Sequence, residues 1–497
     1  MIFLSTRGDV DLVTSAYAIN RGLAKDGGLF VPQEFPQLSM EDIAALGKKS
    51  YQERAVYVLK QFLTDYTEEE LCSCVAKAYT EEKFGANPVP LVQVGENTGV
   101  LELWHGPTSA FKDMALQLLP HLLLEAKKKT GEVHKIVILV ATSGDTGKAA
   151  LEGFADVEGT EIMVFYPSQG VSDIQKRQMI TQAGKNVEVF GIEGNFDDAQ
   201  RGVKEIFSNK ILAKSLEDKG FVFSSANSIN WGRLAPQIVY YFSAYVDAVA
   251  AKKIKLGDPI NFVVPTGNFG DILAGYYAKK MGLPVKRLLC ASNSNNVLSD
   301  FINTGVYDKR RDFYKTVSPS MDILVSSNLE RLLYHVSEGD TEKVAGYMQK
   351  LNDEGIYEID REALRVIRSE FFGAWVDEFE TKETIGRIYN EQGYVMDTHT
   401  AVAWRALEKY RYLPDADDTY SVVLSTASPY KFADSVLNAI GGDVEATENP
   451  FDLLRALKEK CNMDIPSRML ALENAPILHT EVIQSEKMEL TVISNLG

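Results

Sequence analysis

"INFVVPTGNFGDILAGYYAKKMG", residues 260 to 282, runs from a continuous apolar segment through a glycine loop into a helical pattern. Apolar residues on both faces of NFVV suit a strand covered by helices on either side of a parallel sheet. The same strand–loop–helix form recurs in both directions along the chain. "HKIVILVA" (134–141) passes through "TSGDTG" into "KAALEGFA", and "TEIMVFYP" (160–167) is followed by the helical "SDIQKRQMITQAG" and then "VEVFGIEG". "FVFSSANSINWGRLAPQIVYYFSAYVDAVA" (221–250) and "YSVVLSTASPYKFADSVLNAIG" (420–441) repeat it again. This alternation predicts an α/β fold built on a largely parallel sheet. Ligands in such sheets sit at the carboxyl ends of the strands, where the unusual loops of this chain fall. The first 90 residues read as mostly helical and acidic, and the Gly- and Pro-rich "GANPVPLVQVGENTG" (85–99) marks a boundary.

A chain of 497 residues exceeds one simple core and predicts two or three domains. Its formal charge of −17 argues against a nucleic-acid or anionic-membrane partner. The four cysteines are too few and too scattered for a disulfide framework, so reduced thiols are expected. The opening "MIFLSTRGDVDLV" has no basic segment leading into an apolar one, and no apolar run approaches the ~20 residues of a membrane span. A cytoplasmic protein is the expectation. The six histidines show no metal-ligand spacing, and no GxSxG elbow occurs, which leaves little for zinc or serine-hydrolase chemistry.

The loops carry the remaining chemical content. In "PTGNFGD" (265–271), Gly267 and Gly270 allow close backbone approach, and the helix N-terminus beyond offers free N–H groups to an anion. The same loop also fits an ordinary turn between strand and helix. "ATSGDTGKAA" (141–150) ends like a phosphate-binding loop, but Thr142 stands where a glycine is required and Ala149 where a hydroxyl would hold magnesium. Thr142, Ser143, Thr146 and the loop amides instead suit a carboxylate. In "STASP" (425–429), Thr426 either meets a ring nitrogen or caps a helix. Asn227, Ser228, Asn230 and Arg233 form a polar set suited to an anionic substrate, or serve the loop backbone.

One lysine is out of place. In "WHGPTSAFKDMALQLLP" (104–120), an apolar strand from Val100 to Trp104 enters a small-residue turn. Thr108 or Ser109 would cap the helix that follows, putting Lys112 in its first turn. The positive end of the macrodipole disfavours a cation there. A neutral amine, an anion seat and a carboxylate seat together suggest pyridoxal phosphate chemistry. Snorkelling of Lys112 to solvent is the alternative.

Taken in order, "STRG", "DGGLFVP", "HGPTSAFKD", "ATSGDTG", "NSINWGR", "PTGNFGD", "SSNLERLL" and "DTHTAVA" resemble the threonine synthase family in its longer bacterial and fungal class. The resemblance runs nearly end to end. It implies a fold type II pyridoxal 5'-phosphate enzyme, similar to the tryptophan synthase β chain, with two open twisted α/β domains and the cofactor between them. It also implies an N-terminal, mainly helical domain (1–90), a catalytic core of two subdomains (91–440) and a C-terminal extension packing on that core (441–497). On this resemblance Lys112 carries the Schiff base, and Asp145 lies near the cofactor's 3′-oxygen. Gly267, Asn268, Phe269 and Gly270 hold the phosphate, with Asp271 at the helix start, and Thr426 meets the pyridine nitrogen. Ser143, Thr146, Asn230 and Arg233 are candidate substrate contacts. Ser428 departs from the family, many of whose members have histidine there.

The implied reaction converts O-phospho-L-homoserine and water into L-threonine and phosphate, with the released phosphate as a candidate base for the water. The last step of threonine biosynthesis is its implied place, in a monomer or homodimer. Rival readings are a fold type II dehydratase, a β-replacement synthase, or a non-catalytic cofactor-binding paralogue. The N-terminal block and "NSINWGR" favour threonine synthase over the first two, and the retained Lys112 with its phosphate loop argues against the third.

Overall fold

The computed structural model describes residues 1–142, 144–169, 171–414, 416, 418–442 and 449–496. Two main sheets organise it. The first has six strands in the order Phe371–Trp375, Val285–Ser292, Ile260–Pro265, Ser421–Ser425, Thr98–Glu102, Leu91–Gly95. All its neighbours are parallel except the last pair, which is a hairpin. The second has five parallel strands in the order Val482–Gln484, Val187–Glu193, Thr160–Pro167, Lys135–Ala141, Phe221–Ser224. The continuous apolar runs are therefore buried on both faces, as parallel sheets require, and every residue of Ile260–Pro265 is buried.

Near the N-terminus, Met40–Leu46, Tyr51–Phe62 and Glu68–Ala78 form helices, each opened by a capping box: Ser39 with Asp42, Ser50 with Glu53, and Thr67 with Glu70. A two-stranded antiparallel pair, Phe3–Ser5 with Phe30–Pro32, accompanies them. Their apolar faces join the same buried cluster as the strands of both sheets, a cluster that runs from Phe3 to Leu424. The helix Trp231–Ala250 lies at its centre and is buried on nearly all sides. A helix apolar all round is stable only in such a position. At the other end of the chain, Val482–Gln484 supplies an edge strand, and the Arg177 guanidinium donates to the carbonyls of Leu472, Glu473 and Ala475.

The stretch around Lys112 differs from the expected single helix. The strand is Thr98–Glu102 rather than Val100–Trp104, and the helical pattern splits into Asp113–Leu116 and Leu119–Thr130. Pro120 favours the break, because it has no N–H for a carbonyl one turn back and is best accommodated in the first turn, where it stands in the second helix. Gly153 then lets the helix Asp145–Phe154 rest on the short one, since a Cβ there would stand 2.1 Å from the Leu116 carbonyl oxygen. Close packing of these two helices sets the distance between Lys112 and Asp145. Among the described residues, no helix is long and apolar enough to cross a membrane.

Candidate active site

Lys112 immediately precedes the helix Asp113–Leu116. Neither proposed cap forms. Thr108 instead donates its N–H (2.8 Å) and hydroxyl (2.7 Å) to the Asp113 carboxylate. Ser109 adopts a left-handed conformation (φ 59°), and its carbonyl accepts from the Ser428 N–H. The Lys112 side chain is 10% exposed, and its Nζ donates to Ser320 Oγ at 3.2 Å and lies 3.6 Å from Asp145 Oδ2. Burial pulls the amine down; Asp145 opposes the shift and the charges of Arg233 and Lys431 add to it, leaving the pKa at about 8. A four-residue helix has little macrodipole, so burial and neighbouring cations replace the helix-start explanation.

Asp145 opens its helix at the carboxyl end of Lys135–Ala141. Its Oδ1 lies 2.7 Å from Lys431 Nζ and accepts from Gln175 Nε2 at 2.8 Å, while Oδ2 accepts from Ser320 Oγ at 3.3 Å. Burial alone would raise this carboxyl. The charges of Lys431 and Lys112, with hydrogen bonds from Lys431 and Gln175, outweigh burial and hold the group far below the usual carboxylate range. Lys431, Gln175 and Ser320 escaped the sequence reading. Gln175 and Ser320 carry no local signal, whereas Lys431 is the lone cation in "SPYKFADS", where a charge in a packed run implies a partner.

Ser320 joins the parts of the site. Its N–H donates to His399 Nε2 at 3.2 Å, and His399 Nδ1 lies 2.8 Å from Asp397 Oδ1. With Nε2 accepting, the ring proton sits on Nδ1, facing Asp397. On its other side, the Ser320 carbonyl oxygen would be 2.6 Å from a Cβ at Gly267. One turn thus touches the lysine, the Asp145 carboxylate and the glycine loop.

That loop leads from Ile260–Pro265 into the helix Gly270–Lys280, with Phe269 left-handed (φ 62°) and no side-chain cap. The Gly267 carbonyl accepts from Ser326 Oγ (3.0 Å), and the Asn268 carbonyl accepts from both the N–H and the Nδ2 of Asn328 (3.1 Å each). Among the described residues, the N–H groups of Gly267, Asn268, Phe269, Gly270 and Asp271 find no acceptor. Such a row of unused donors at a helix start suits an anion, and the loop is the candidate anion seat. Asp271 contributes only its backbone. Its carboxylate turns into the core and accepts from the hydroxyls of Tyr240 (2.6 Å) and Tyr241 (2.8 Å), with burial pushing it up to about 6.

Thr426 follows Ser421–Ser425 and is buried, and its carbonyl accepts from the Phe111 N–H at 2.9 Å, one residue before the lysine. Its hydroxyl has no hydrogen-bond partner among the described residues and caps no helix. Ser428 takes the capping place instead, accepting from the Tyr430 N–H. Arg233 is buried, donates one hydrogen bond to the Ala226 carbonyl (2.9 Å) and pairs with no carboxylate among the described residues; burial lowers it to about 10. Thr146 lies half-buried in the first turn after Asp145, while the Thr142 hydroxyl accepts the Gly144 and Gly147 N–H groups of its own turn. Ser143 lies outside the described residues.

Asn230 is a correction to the predicted substrate set. Its amide donates to the carbonyls of Ile19 and Ser225 and accepts from the Gly232 N–H, so it caps the central helix and ties the N-terminal segment to it. Asn230→Ala is expected to cost about 1–2 kcal/mol in stability. Its KM should stay within about twofold, because no substrate contact is removed. Denaturant titration alongside steady-state kinetics checks both, and a large KM increase with unchanged stability would restore the substrate role.

A family profile described as "Threonine synthase N terminus" matches residues 2–79, "Pyridoxal-phosphate dependent enzyme" matches 87–426, and "Threonine synthase, C-terminal" matches 400–484. The chain is 38% identical to a threonine synthase of Pseudomonas aeruginosa over 95% of its own length and 97% of the relative's. It is 40% identical to human "Threonine synthase-like 1" over 85% of its length, but spans only 57% of that longer relative. A pyridoxal-phosphate-bound threonine synthase from Brucella melitensis superposes with a TM-score of 0.87 at 38% identity, covering 100% of this chain and 98% of that one. The chain belongs to the threonine synthase family of pyridoxal-phosphate-dependent enzymes.

Proposed function

We propose that this protein converts O-phospho-L-homoserine and water into L-threonine and inorganic phosphate, with pyridoxal 5'-phosphate as cofactor. The observation that carries the reading is a buried Lys112 amine, held between Asp145 and Ser320 where the two sheets meet, on the same turn that borders a row of unused N–H donors. Those donors fit the cofactor's phosphate. The unpartnered hydroxyl of Thr426, beside the lysine segment, fits a neutral contact to the ring nitrogen, which modulates the ring without requiring its protonation.

When bound, pyridoxal phosphate supplies an aldehyde for linkage to an amine and a conjugated ring that accepts electron density from the substrate. The chain's own residues do the rest. With a pKa of about 8, Lys112 presents a usable fraction of neutral amine near neutral pH. As a neutral amine, its Nζ would take the proton from Cα of the substrate and then move protons at Cβ. Asp145, kept ionised, steadies the amine between these transfers. Arg233 is a buried cation without a carboxylate and suits the anionic end of the substrate. Thr146, with the loop amides around it, suits the substrate carboxylate, a role proposed for Ser143 as well. Burial of the lysine limits water until it is needed at Cβ. The division into 1–90, 91–440 and 441–497 and a cytoplasmic location belong to this proposal.

The test incubates the purified protein with pyridoxal phosphate and O-phospho-L-homoserine and follows phosphate and threonine together. Equal release of both is expected, and Arg233→Met is expected to raise KM by about tenfold or more. Phosphate with 2-oxobutyrate and no threonine would point to a dehydratase, and turnover of O-acetylserine with sulfide to a β-replacement enzyme.

A further inference from the structure

Two lysines share one buried carboxylate, and they are not equivalent. Lys431 Nζ lies 2.7 Å from Asp145 Oδ1 and donates to the Thr108 carbonyl (3.0 Å) and Gln178 Oε1 (3.4 Å), so all three ammonium protons have acceptors. Its side chain has no exposure at all. Among the described residues, Lys112 Nζ has one hydrogen-bond acceptor, a hydroxyl at 3.2 Å, with the carboxylate oxygen at 3.6 Å and the Phe111 ring centroid at 5.4 Å. A buried ammonium is tolerated where its protons are satisfied and paired. Burial with so few partners favours the neutral form of Lys112.

We propose that Lys431 is a positioning residue that holds Asp145 as its permanent counter-ion, so that Lys112 is not required as a cation and is free to act as the reactive amine. With Lys112 neutral, the three side chains carry no net charge, and the buried cluster is electrostatically balanced. The inference rests on the reading of Lys112 as the cofactor-bearing amine and assigns a residue beyond it. The charged and titratable groups facing the pair come from every element around it. Arg233 acts on Lys112 from the central helix. Asp113, hydrogen-bonded by Thr108, faces Lys431. His399 touches the same Ser320 turn and is paired with Asp397. None of these replaces the direct contact between Lys431 and Asp145.

Without Lys431, Asp145 has Lys112 as its remaining contact cation, which stabilises the ammonium form of Lys112. The test uses the full-length chain stripped of cofactor and measures the rate of pyridoxal 5'-phosphate capture across pH. Condensation forms one C=N bond between the lysine nitrogen and the aldehyde carbon, and the aldehyde oxygen leaves as water. Borohydride hydride then reduces that bond, and peptide mass spectrometry locates the adduct.

Wild type is expected to label at Lys112. In Lys431→Met the pH midpoint of capture should rise by about 1–2 units, while Lys431→Arg should return it toward wild type. Lys431→Met with Asp145→Asn removes both charges and should also bring the midpoint back down, which separates the electrostatic effect from a folding defect. A folded Lys431→Met with an unchanged midpoint would overturn the role of Lys431 while leaving Lys112 as the attachment site. An adduct on another lysine in the wild type would overturn the reading on which the inference rests.

Discussion

Lys112→Ala is expected to lower turnover by about 10³-fold or more and to abolish the borohydride-stable cofactor adduct. The loss is large because the proposed reaction uses Lys112 twice, as the amine that would bind the cofactor's aldehyde and as the amine that would move protons at Cα and Cβ. Neighbouring Lys431 does not substitute, since its ammonium is enclosed by Asp145, Thr108 and Gln178 and has no exposure. Folding should survive, because removal of a partly satisfied cation relieves burial cost while Asp145 keeps Lys431 and Gln175. Circular dichroism, phosphate release and absorption of the bound cofactor check the three parts. A variant that retains the adduct and turnover would remove Lys112 from the chemistry.

The second large effect concerns stability. Trp231 is fully buried and sits against Phe3 (ring centroids 4.9 Å apart), Phe62 (5.3 Å) and Tyr277 (5.7 Å). These rings come from the N-terminal strand, an N-terminal helix and the helix behind the anion seat. Trp231→Ala should therefore destabilise the protein by about 3–5 kcal/mol, seen as a lower denaturant midpoint. Trp231→Phe should cost much less, because the indole Nε1 is buried without a hydrogen-bond partner among the described residues and its removal breaks none there. A loss below about 1 kcal/mol in Trp231→Ala would mean that this aromatic junction does not anchor the N-terminal segment.

The junction explains why motifs scattered along the chain belong together. Thr6 and Arg7 of "STRG" bind the Glu330 carboxylate of "SSNLERLL". Arg331 of the same motif is fully buried and donates to the carbonyls of Phe30, in "DGGLFVP", and Ile229, in "NSINWGR". Ser327 in turn contacts both Ser228 and Asn268, which connects this framework to the anion seat. The N-terminal segment therefore supports the loops of the site from behind, a use of its motifs that no single motif discloses.

The strands were readable because burial on both faces leaves an unbroken apolar run, as in Thr160–Pro167, where the predicted and observed spans coincide. The unusual lysine and the glycine loop were readable for a related reason: each breaks a local preference of the backbone around it. The helix after Lys112 was misread because one apolar pattern continued across Pro120, and the position of a break depends on packing around it. Asn230 stood out as a polar residue at a strand end, and the family resemblance placed Asp271 at the helix start, but neither shows where the side chain goes. Their partners, the Ile19 carbonyl and the hydroxyls of Tyr240 and Tyr241, are supplied by other elements.

Sequence by itself determined the alternating α/β elements, the candidate amine and the glycine loop at a helix start, because side-chain periodicity, glycine freedom and helix-end chemistry act over a few neighbouring residues. Tertiary structure alone decided the electrostatics. Lys112 meets Ser320, 208 positions away, and Ser320 meets Asp145, 175 positions away. Lys431 reaches the same carboxylate from beyond the final strand of the six-stranded sheet's chain order. An amine's pKa depends on burial and on every charge within a few ångströms, and only the folded chain brings those charges together.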